Sequence, residues 1–102
     1  MEKVEEMVEE VINFLKKNEL WQTDTGIFAN GKYFDHKGII PSERELKGAA
    51  FMWFEGPLNW ALNHGHNDPK YKVYNGLKDI MNKHGYFPEF GSHCDFNIYP
   101  TN

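Results

Sequence analysis

The chain has 102 residues, of which 40% are hydrophobic and 25% are charged, an ordinary composition for one globular domain spanning residues 1–102. A net charge of −4 and scattered Lys and Arg residues argue against direct nucleic-acid binding, because nucleic-acid binders usually present a basic stripe to phosphate. A single cysteine, Cys94, excludes an intrachain disulfide, and no apolar run is long enough to cross a membrane.

The first predicted element is an amphipathic helix over residues 2–18. Its apolar residues recur at the helical period and form one stripe: Val4, Met7, Val8, Val11, Ile12, Phe14 and Leu15. Few glutamates on the opposite side have a lysine four positions later, so this face carries mostly unpaired negative charge. We expect Glu6, Glu9 and Glu10 to contact a basic protein partner through this face.

A β-hairpin is predicted next, because Asn30-Gly31 suits the two positive-φ positions of a type I′ turn. The turn sets a register of three pairs: Ala29–Lys32, Phe28–Tyr33 and Ile27–Phe34. Residues directly opposite each other share a face, so Phe28 and Tyr33 lie together on the face away from Ile27. Either both faces are covered or one of them displays this aromatic pair.

The middle of the chain alternates short elements. Ser42 and Glu45 have the spacing of a capping box, which predicts about one turn of helix over residues 42–48. A buried strand is predicted over residues 49–54. It breaks at Gly56-Pro57, where proline starts a short helix that ends near Gly65.

The last part of the chain predicts one more helix and one more strand. The helix runs over residues 69–84 from Asp68-Pro69 to a glycine stop, with Asn75 as an alternative start that leaves residues 71–74 extended. The strand runs from about residue 92 to 99. The predicted fold is therefore α+β: a mostly antiparallel sheet of about four strands, with the N-terminal helix and two further helices packed on one face.

The alternation of the last strand defines a possible polar site. It places Cys94, Phe96 and Ile98 on one face, and His93, Asp95, Asn97 and Tyr99 on the other. Strand geometry keeps His93 away from Cys94, so the thiol is interpreted as a small buried hydrophobe and not as a nucleophile. His93 and Asp95 have the types of a general base and its orienting group, although a solvated sheet face explains the same pattern.

A metal site is the most specific enzymatic hypothesis that the residues allow. His64, His66 and Asp68 lie two residues apart in a predicted loop, and His93 or Cys94 would supply a further ligand. Helix capping explains the same loop, because His64 favours a helix C-terminus and Asp68 an N-cap. On that interpretation no metal or other cofactor is expected.

The aromatic residues, 16% of the chain, exceed what a core of this size needs. Tryptophan and tyrosine often keep one polar edge in water and are enriched at binding surfaces. Trp53 and Trp60 are therefore candidate binding residues, together with His93, Asp95 and Tyr99 from the last strand. Trp60 either packs against the following helix or lies exposed.

Three segments support a resemblance in style and size: the Ile27-Phe28-Ala29-Asn30-Gly31 hairpin, Phe54-Glu55-Gly56-Pro57-Leu58, and the Lys83-His84-Gly85-Tyr86 helix end. With the acidic N-terminal helix, the chain resembles small acidic orphan proteins of phages and mobile elements of low-GC Gram-positive bacteria. Some proteins of that kind are anti-CRISPR or other anti-defence inhibitors. The resemblance implies an inhibitor in the cytoplasm of a bacterial host, and it carries over no functional residue.

Three functions follow as hypotheses. The first is a non-enzymatic binding module that inhibits a basic, nucleic-acid-handling protein partner. The second is capture of a small nucleotide-like ligand, with a homodimer as one arrangement, in a pocket built from Trp53, Trp60, Tyr71, Tyr74 and the polar face of the last strand. The third is a metal-dependent hydrolase that uses the His64, His66 and Asp68 loop. We expect no membrane association, since the Glu-rich N-terminal segment lacks a signal-peptide pattern.

Overall fold

The computed structural model of the protein describes residues 3–63 and 71–101. The helices are α1 Lys3–Lys17, α2 Gly56–Asn63 and α3 Tyr71–Lys83. The strands are β1 Thr25–Ala29, β2 Lys32–Asp35, β3 Gly38–Pro41, β4 Ala50–Phe54, β5 Tyr86–Ser92 and β6 Asp95–Pro100. The α+β class and the antiparallel sheet are confirmed, but the prediction of about four strands is wrong, since the sheet has six. No helix in the described ranges is both long and apolar enough to cross a membrane.

The sheet has the strand order β3-β2-β1-β4-β6-β5, and every neighbouring pair is antiparallel. Strands β1 and β4 pair along their full length at the centre, from Thr25 opposite Phe54 to Ala29 opposite Ala50. The short strand β3 forms one edge and β5 forms the other. The connection from β3 to β4 therefore has to pass two strands before the chain re-enters the sheet.

The Asn30-Gly31 turn has the predicted geometry and register. Both residues have positive φ, 52° and 74°, which a type I′ turn requires and which glycine adopts without a steric penalty. The three observed pairs are those predicted: Ile27–Phe34, Phe28–Tyr33 and Ala29–Lys32. The hairpin prediction is confirmed because turn chemistry and the two-residue period of strands are both local properties.

The hydrophobic core lies between one face of the sheet and the helices. Helix α1 contributes four fully buried residues, Met7, Val8, Val11 and Leu15. The other helices contribute Leu58, Leu77 and Met81, and the sheet contributes Ile27, Ala29, Phe34, Ala50, Met52, Phe54, Phe96 and Ile98. These strand residues alternate with side chains on the opposite side, which we call the open face.

The helical turn predicted over residues 42–48 is wrong. This part of the chain has no regular structure, and strand β3 precedes it. The amide of Ser42 donates to the carbonyl of Gly31 at 2.9 Å, which ties the end of β3 to the hairpin. The Ser42 hydroxyl accepts from the Arg44 amide at 3.2 Å, so it closes a tight local turn and does not cap a helix with Glu45.

The C-terminal region contains two strands where one was predicted. Strand β5 precedes β6, and β6 starts at Asp95, so His93 and Cys94 lie in the connecting turn instead of on a strand face. Cys94 is only partly buried there, which corrects its interpretation as a buried hydrophobe. Helix α3 begins at Tyr71, so the alternative start at Asn75 is wrong.

Candidate functional site

Glu5 joins helix α1 to the hairpin. Its carboxylate accepts hydrogen bonds from Lys32 Nζ, at 2.9 Å and 3.1 Å, and from Asn30 Nδ2. These donors, Lys32 first, lower the pKa of the Glu5 carboxyl below its ordinary value, because they favour the charged form. Glu5 is therefore committed to a contact within the molecule.

Glu10 joins helix α1 to the end of helix α3. It pairs with Lys83 Nζ and with His84 Nε2, the latter at 2.8 Å. The hydrogen bond from Lys83, followed by that from His84, lowers the pKa of the Glu10 carboxyl. Glu6 and Glu9 are exposed, and neither forms an ion pair within the described residues. The predicted acidic surface is thus divided, and Glu6 and Glu9 remain as its available carboxylates.

A cleft of about 470 Å³ separates helix α1 from the β2–β3 hairpin. Its apolar walls come from Ile12, Trp21, Phe34 and Ile39. Its polar walls come from α1 residues Glu5, Glu9, Asn13 and Lys16, and from hairpin residues Asp35, His36 and Lys37. Along α1, Glu9 and Lys16 lie roughly 10 Å apart at 1.5 Å per residue, and Glu5 lies about one turn further toward the start of the helix. The cleft therefore combines an apolar interior with charged residues of both signs along its walls.

Strand β3 forms the outer wall of this cleft, and among the described residues no strand pairs with its outer side. All four of its residues are exposed, and Ile39 and Ile40 are 62% and 58% accessible. An edge strand presents main-chain N–H and C=O groups to any extended chain that lies beside it. Ile39 faces the cleft and Ile40 faces the open side of the sheet, so both sides of this edge are apolar.

The open face carries an aromatic row across the sheet. The strand register aligns Ile40, Tyr33, Phe28, Phe51, Asn97 and Glu89, so the first four residues of the row are apolar or aromatic and the last two are polar. The rings of Phe28 and Tyr33 lie 4.4 Å apart between centroids, and Phe28 and Phe51 lie 6.3 Å apart. The aromatic pair that the hairpin predicted is therefore displayed on the open face, where its residues are partly buried.

Trp53 and Tyr33 are joined beside this row. The indole Nε1 donates to the Tyr33 hydroxyl at 3.1 Å, directly above Gly26. A Cβ at Gly26 would lie 2.3 Å from that hydroxyl and 2.5 Å from the indole nitrogen, so only glycine lets the two side chains meet there. Trp53 is also opposite Asp95 in the sheet register, which places this aromatic pair next to the polar half of the face.

Residues 42–49, which we call the strap, cross the open face between β3 and β4. Arg44 lies over two rings, with its guanidinium carbon 5.0 Å from the Phe28 centroid and 4.6 Å from the Phe51 centroid. The end of the strap is fixed by the Ala49 amide, which donates to the Ile98 carbonyl at 2.8 Å. Between the strap and strands β4 to β6 lies a second cavity of about 330 Å³.

The structure brings together only some of the predicted binding residues. Trp53, Asp95 and Tyr99 share the open face, whereas Glu6 and Glu9 lie on the helical side of the molecule. Trp60 is 54% exposed on α2, and His93 lies in the β5–β6 turn. The predicted metal ligands His64, His66 and Asp68 lie outside the described residues. Within the described ranges no group of three or more His, Cys, Asp or Glu side chains could hold a metal ion.

Three residues that shape these surfaces were not singled out in the sequence. Ile39 and Ile40 carried a weak signal, since two adjacent β-branched residues followed by proline are typical of an edge strand. Arg44 carried none, because its position over Phe28 and Phe51 depends on where the strap crosses the sheet.

The chain was compared with known proteins by sequence and by structure. A scan against protein-family models and searches of curated proteins and of solved structures found no match to the chain.

Proposed function

We propose that the protein is a non-enzymatic binding module that acts by occupying a protein partner. The observation that carries this proposal is the 470 Å³ cleft beside the edge strand β3. A cleft of this kind can accept an extended segment of another protein, which adds a strand to the sheet and inserts a side chain between α1 and the hairpin. In strand addition the main chain supplies affinity and the adjoining pockets supply specificity.

The charges beside the cleft favour a basic segment. Glu9 lines the cleft, Glu6 is exposed on the same helix, and neither forms an ion pair within the described part of the chain. A lysine or arginine of the partner would lie at this end of the cleft, and an apolar side chain would lie against Ile39 and Trp21. Charge complementarity of this kind mainly raises the association rate and selects the partner.

We propose further that the occupied partner is a basic, nucleic-acid-handling protein and that occupation inhibits it. Two features support this version: the net charge of −4 and the resemblance to small acidic anti-defence proteins of phages and mobile elements. A partner that binds nucleic acid presents Lys and Arg to phosphate, and an acidic protein can compete for those groups.

The test begins with a pull-down from a bacterial lysate and native mass spectrometry of the complex, followed by calorimetry with the isolated partner. The double variant Glu6→Lys/Glu9→Lys should weaken binding at least tenfold and reduce its salt dependence, and Ile39→Asp should weaken it as much. Phe87→Ala is the matched control, because Phe87 is an exposed apolar residue on the opposite edge strand. Failure to recover a stoichiometric partner, or equal affinity of all variants for it, would contradict the proposal.

A further inference from the structure

The 330 Å³ cavity under the strap has the chemistry of a small-ligand site. It is lined by Arg44 and Lys47 of the strap, Phe51 of β4, Gly91 of β5, and Asp95 and Asn97 of β6. Its volume is at the lower end of the range of about 300 to 1,000 Å³ that is usual for ligand pockets. The cavity lies on the open face, so it is separate from the cleft between α1 and β3.

Two cations at the strap side fit an anion. Arg44 is held over the Phe28 and Phe51 rings, which fixes the guanidinium without using its N–H donors. Within the described residues neither Arg44 nor Lys47 forms an ion pair with a carboxylate. Glu45 also lines the cavity, and Arg44, Glu45 and Lys47 are all exposed. Arg44 and Lys47 line the same cavity, and guanidinium and ammonium groups are the side-chain cations that bind phosphate.

The opposite wall fits a flat group with hydrogen-bond donors. Asp95 is anchored through one oxygen, since Oδ2 accepts from the Ser92 hydroxyl at 2.9 Å. Its other oxygen, Oδ1, and the Asn97 amide have no hydrogen-bond partner in the part of the chain that the structure describes, and both residues line the cavity. The Phe51 ring gives this wall an apolar side against which a heterocycle can lie.

We propose that this cavity binds a mononucleotide, with the phosphate at Arg44 and Lys47 and the base edge at Asp95 and Asn97. Guanine fits the base position better than adenine. Its N1–H and N2–H donors match the free oxygen of Asp95, and its O6 acceptor matches the amide N–H of Asn97. Trp53 is the cross-strand neighbour of Asp95 and therefore reports on occupancy.

The test is titration calorimetry of the full chain with GMP, AMP and guanosine. GMP should bind saturably, AMP at least fivefold more weakly, and guanosine at least tenfold more weakly because it lacks the phosphate. Arg44→Ala and Asp95→Asn should each weaken GMP binding tenfold or more. The controls are Lys72→Ala and Asp79→Asn, which change the same kinds of side chain on the exposed surface of α3, away from the cavity.

A second measurement leaves Arg44 and Asp95 unchanged, so its result does not depend on whether the cavity variants fold. In a Trp21→Phe/Trp60→Phe background only Trp53 emits, and GMP should change its fluorescence with the affinity measured by calorimetry. Circular dichroism of each variant establishes that it is folded before its affinity is compared. No saturable GMP binding up to about 1 mM would overturn the proposal. So would equal GMP affinity of the Arg44 and Asp95 variants and the wild type. Neither result would affect the proposed protein partner, whose contacts lie at Glu9 and Ile39.

Discussion

Gly76 of helix α3 lies directly against the ring of Phe14 on helix α1. A Cβ at position 76 would be 2.4 Å from Phe14 Cζ and 2.7 Å from Cε1, both far inside van der Waals contact. Glycine in a helix interior costs about 1 kcal/mol relative to alanine. The close approach of α1 and α3 explains why this helix nevertheless has a glycine in its middle.

We predict that Gly76→Ala lowers the free energy of unfolding. The added methyl group must displace the Phe14 ring, and overpacking of this kind costs about 1 to 3 kcal/mol, against which the gain in helix propensity is at most about 1 kcal/mol. Urea denaturation followed by circular dichroism measures the difference. The control is the same substitution in a Phe14→Ala background, where it should be neutral or stabilising. Equal destabilisation in both backgrounds would show that the ring is not the cause.

We predict that Gly26→Ala disrupts the Trp53–Tyr33 pair. The new Cβ would lie within 2.5 Å of both polar atoms of that hydrogen bond, so the two side chains must separate. The expected loss of stability is about 1 to 3 kcal/mol, accompanied by a red shift of Trp53 emission as its ring becomes more exposed. Tyr33→Phe is the matched variant, because it removes only the hydroxyl and should cost about 0.5 to 1.5 kcal/mol. A stable Gly26→Ala protein with unchanged emission would contradict the geometry.

We predict that acid destabilises the protein through Glu5 and Glu10. Both carboxyl pKa values are lowered in the folded state, so the ion pairs stabilise the fold above the ordinary glutamate pKa of about 4.3. This stabilisation is lost as the pH falls through the lowered pKa values, because the folded state must then take up protons that the unfolded state has already bound. Thermal melts between pH 7 and pH 2.5 measure this dependence.

Glutamate-to-glutamine substitutions distinguish the effect of Glu5 and Glu10 on acid stability from that of the other carboxylates. Glu5→Gln and Glu10→Gln should each make the melting temperature less dependent on pH below about pH 5, since each removes one lowered pKa. Glu6→Gln should leave the acid dependence as it is, because Glu6 has no ion pair within the described residues. An equal effect of all three substitutions would indicate general charge repulsion in place of specific pairing.

We predict that the same substitution changes the free energy of unfolding strongly at one isoleucine of the first three strands and hardly at all at another. Ile27 is 1% exposed and Ile39 is 62% exposed. Ile27→Ala should cost about 2 to 5 kcal/mol through lost burial and a cavity, whereas Ile39→Ala should stay within about 0.5 kcal/mol of the wild type. Parallel urea titrations compare the two. A large loss at Ile39 would mean that its side chain is covered by another part of the chain or by a second copy.

The parts of the fold that were predicted from sequence are those that depend on local chemistry. The type I′ turn at Asn30-Gly31 determines the pairing of its own two strands, and the spacing of Met7, Val11 and Leu15 determines the buried side of α1. Strand β3 was missed because it has only four residues and ends at Pro41, and because Ser42 and Glu45 directly after it imitate a helix start. The actual partners of Ser42, the Arg44 amide and the Gly31 carbonyl, are set by the crossing of the strap.

Strand β5 was missed for a different physical reason. Pro88 and Gly91 both weaken a strand pattern, and proline is tolerated there because β5 is an edge of the sheet. The candidate sites were predicted only in fragments, since Trp53, Asp95 and Tyr99 share a face only once β4 and β6 are known to be neighbours. The position of Arg44 over the aromatic rings is a tertiary property that no local pattern encodes.

Glu5 holds helix α1 to the hairpin. Glu10 holds it to Lys83 and His84, which follow Glu10 by 73 and 74 positions in the chain. During synthesis on the ribosome α1 therefore emerges long before Leu77 and Met81, the residues of α3 that complete its core. Until α3 is synthesised, the apolar stripe of α1 lacks its contacts with Leu77 and Met81. An exposed apolar stripe of this kind can bind a chaperone or another nascent chain. Glu5, Glu6, Glu9 and Glu10 lie on the polar side of the same helix, and charged side chains of this kind favour the solubility of an exposed segment.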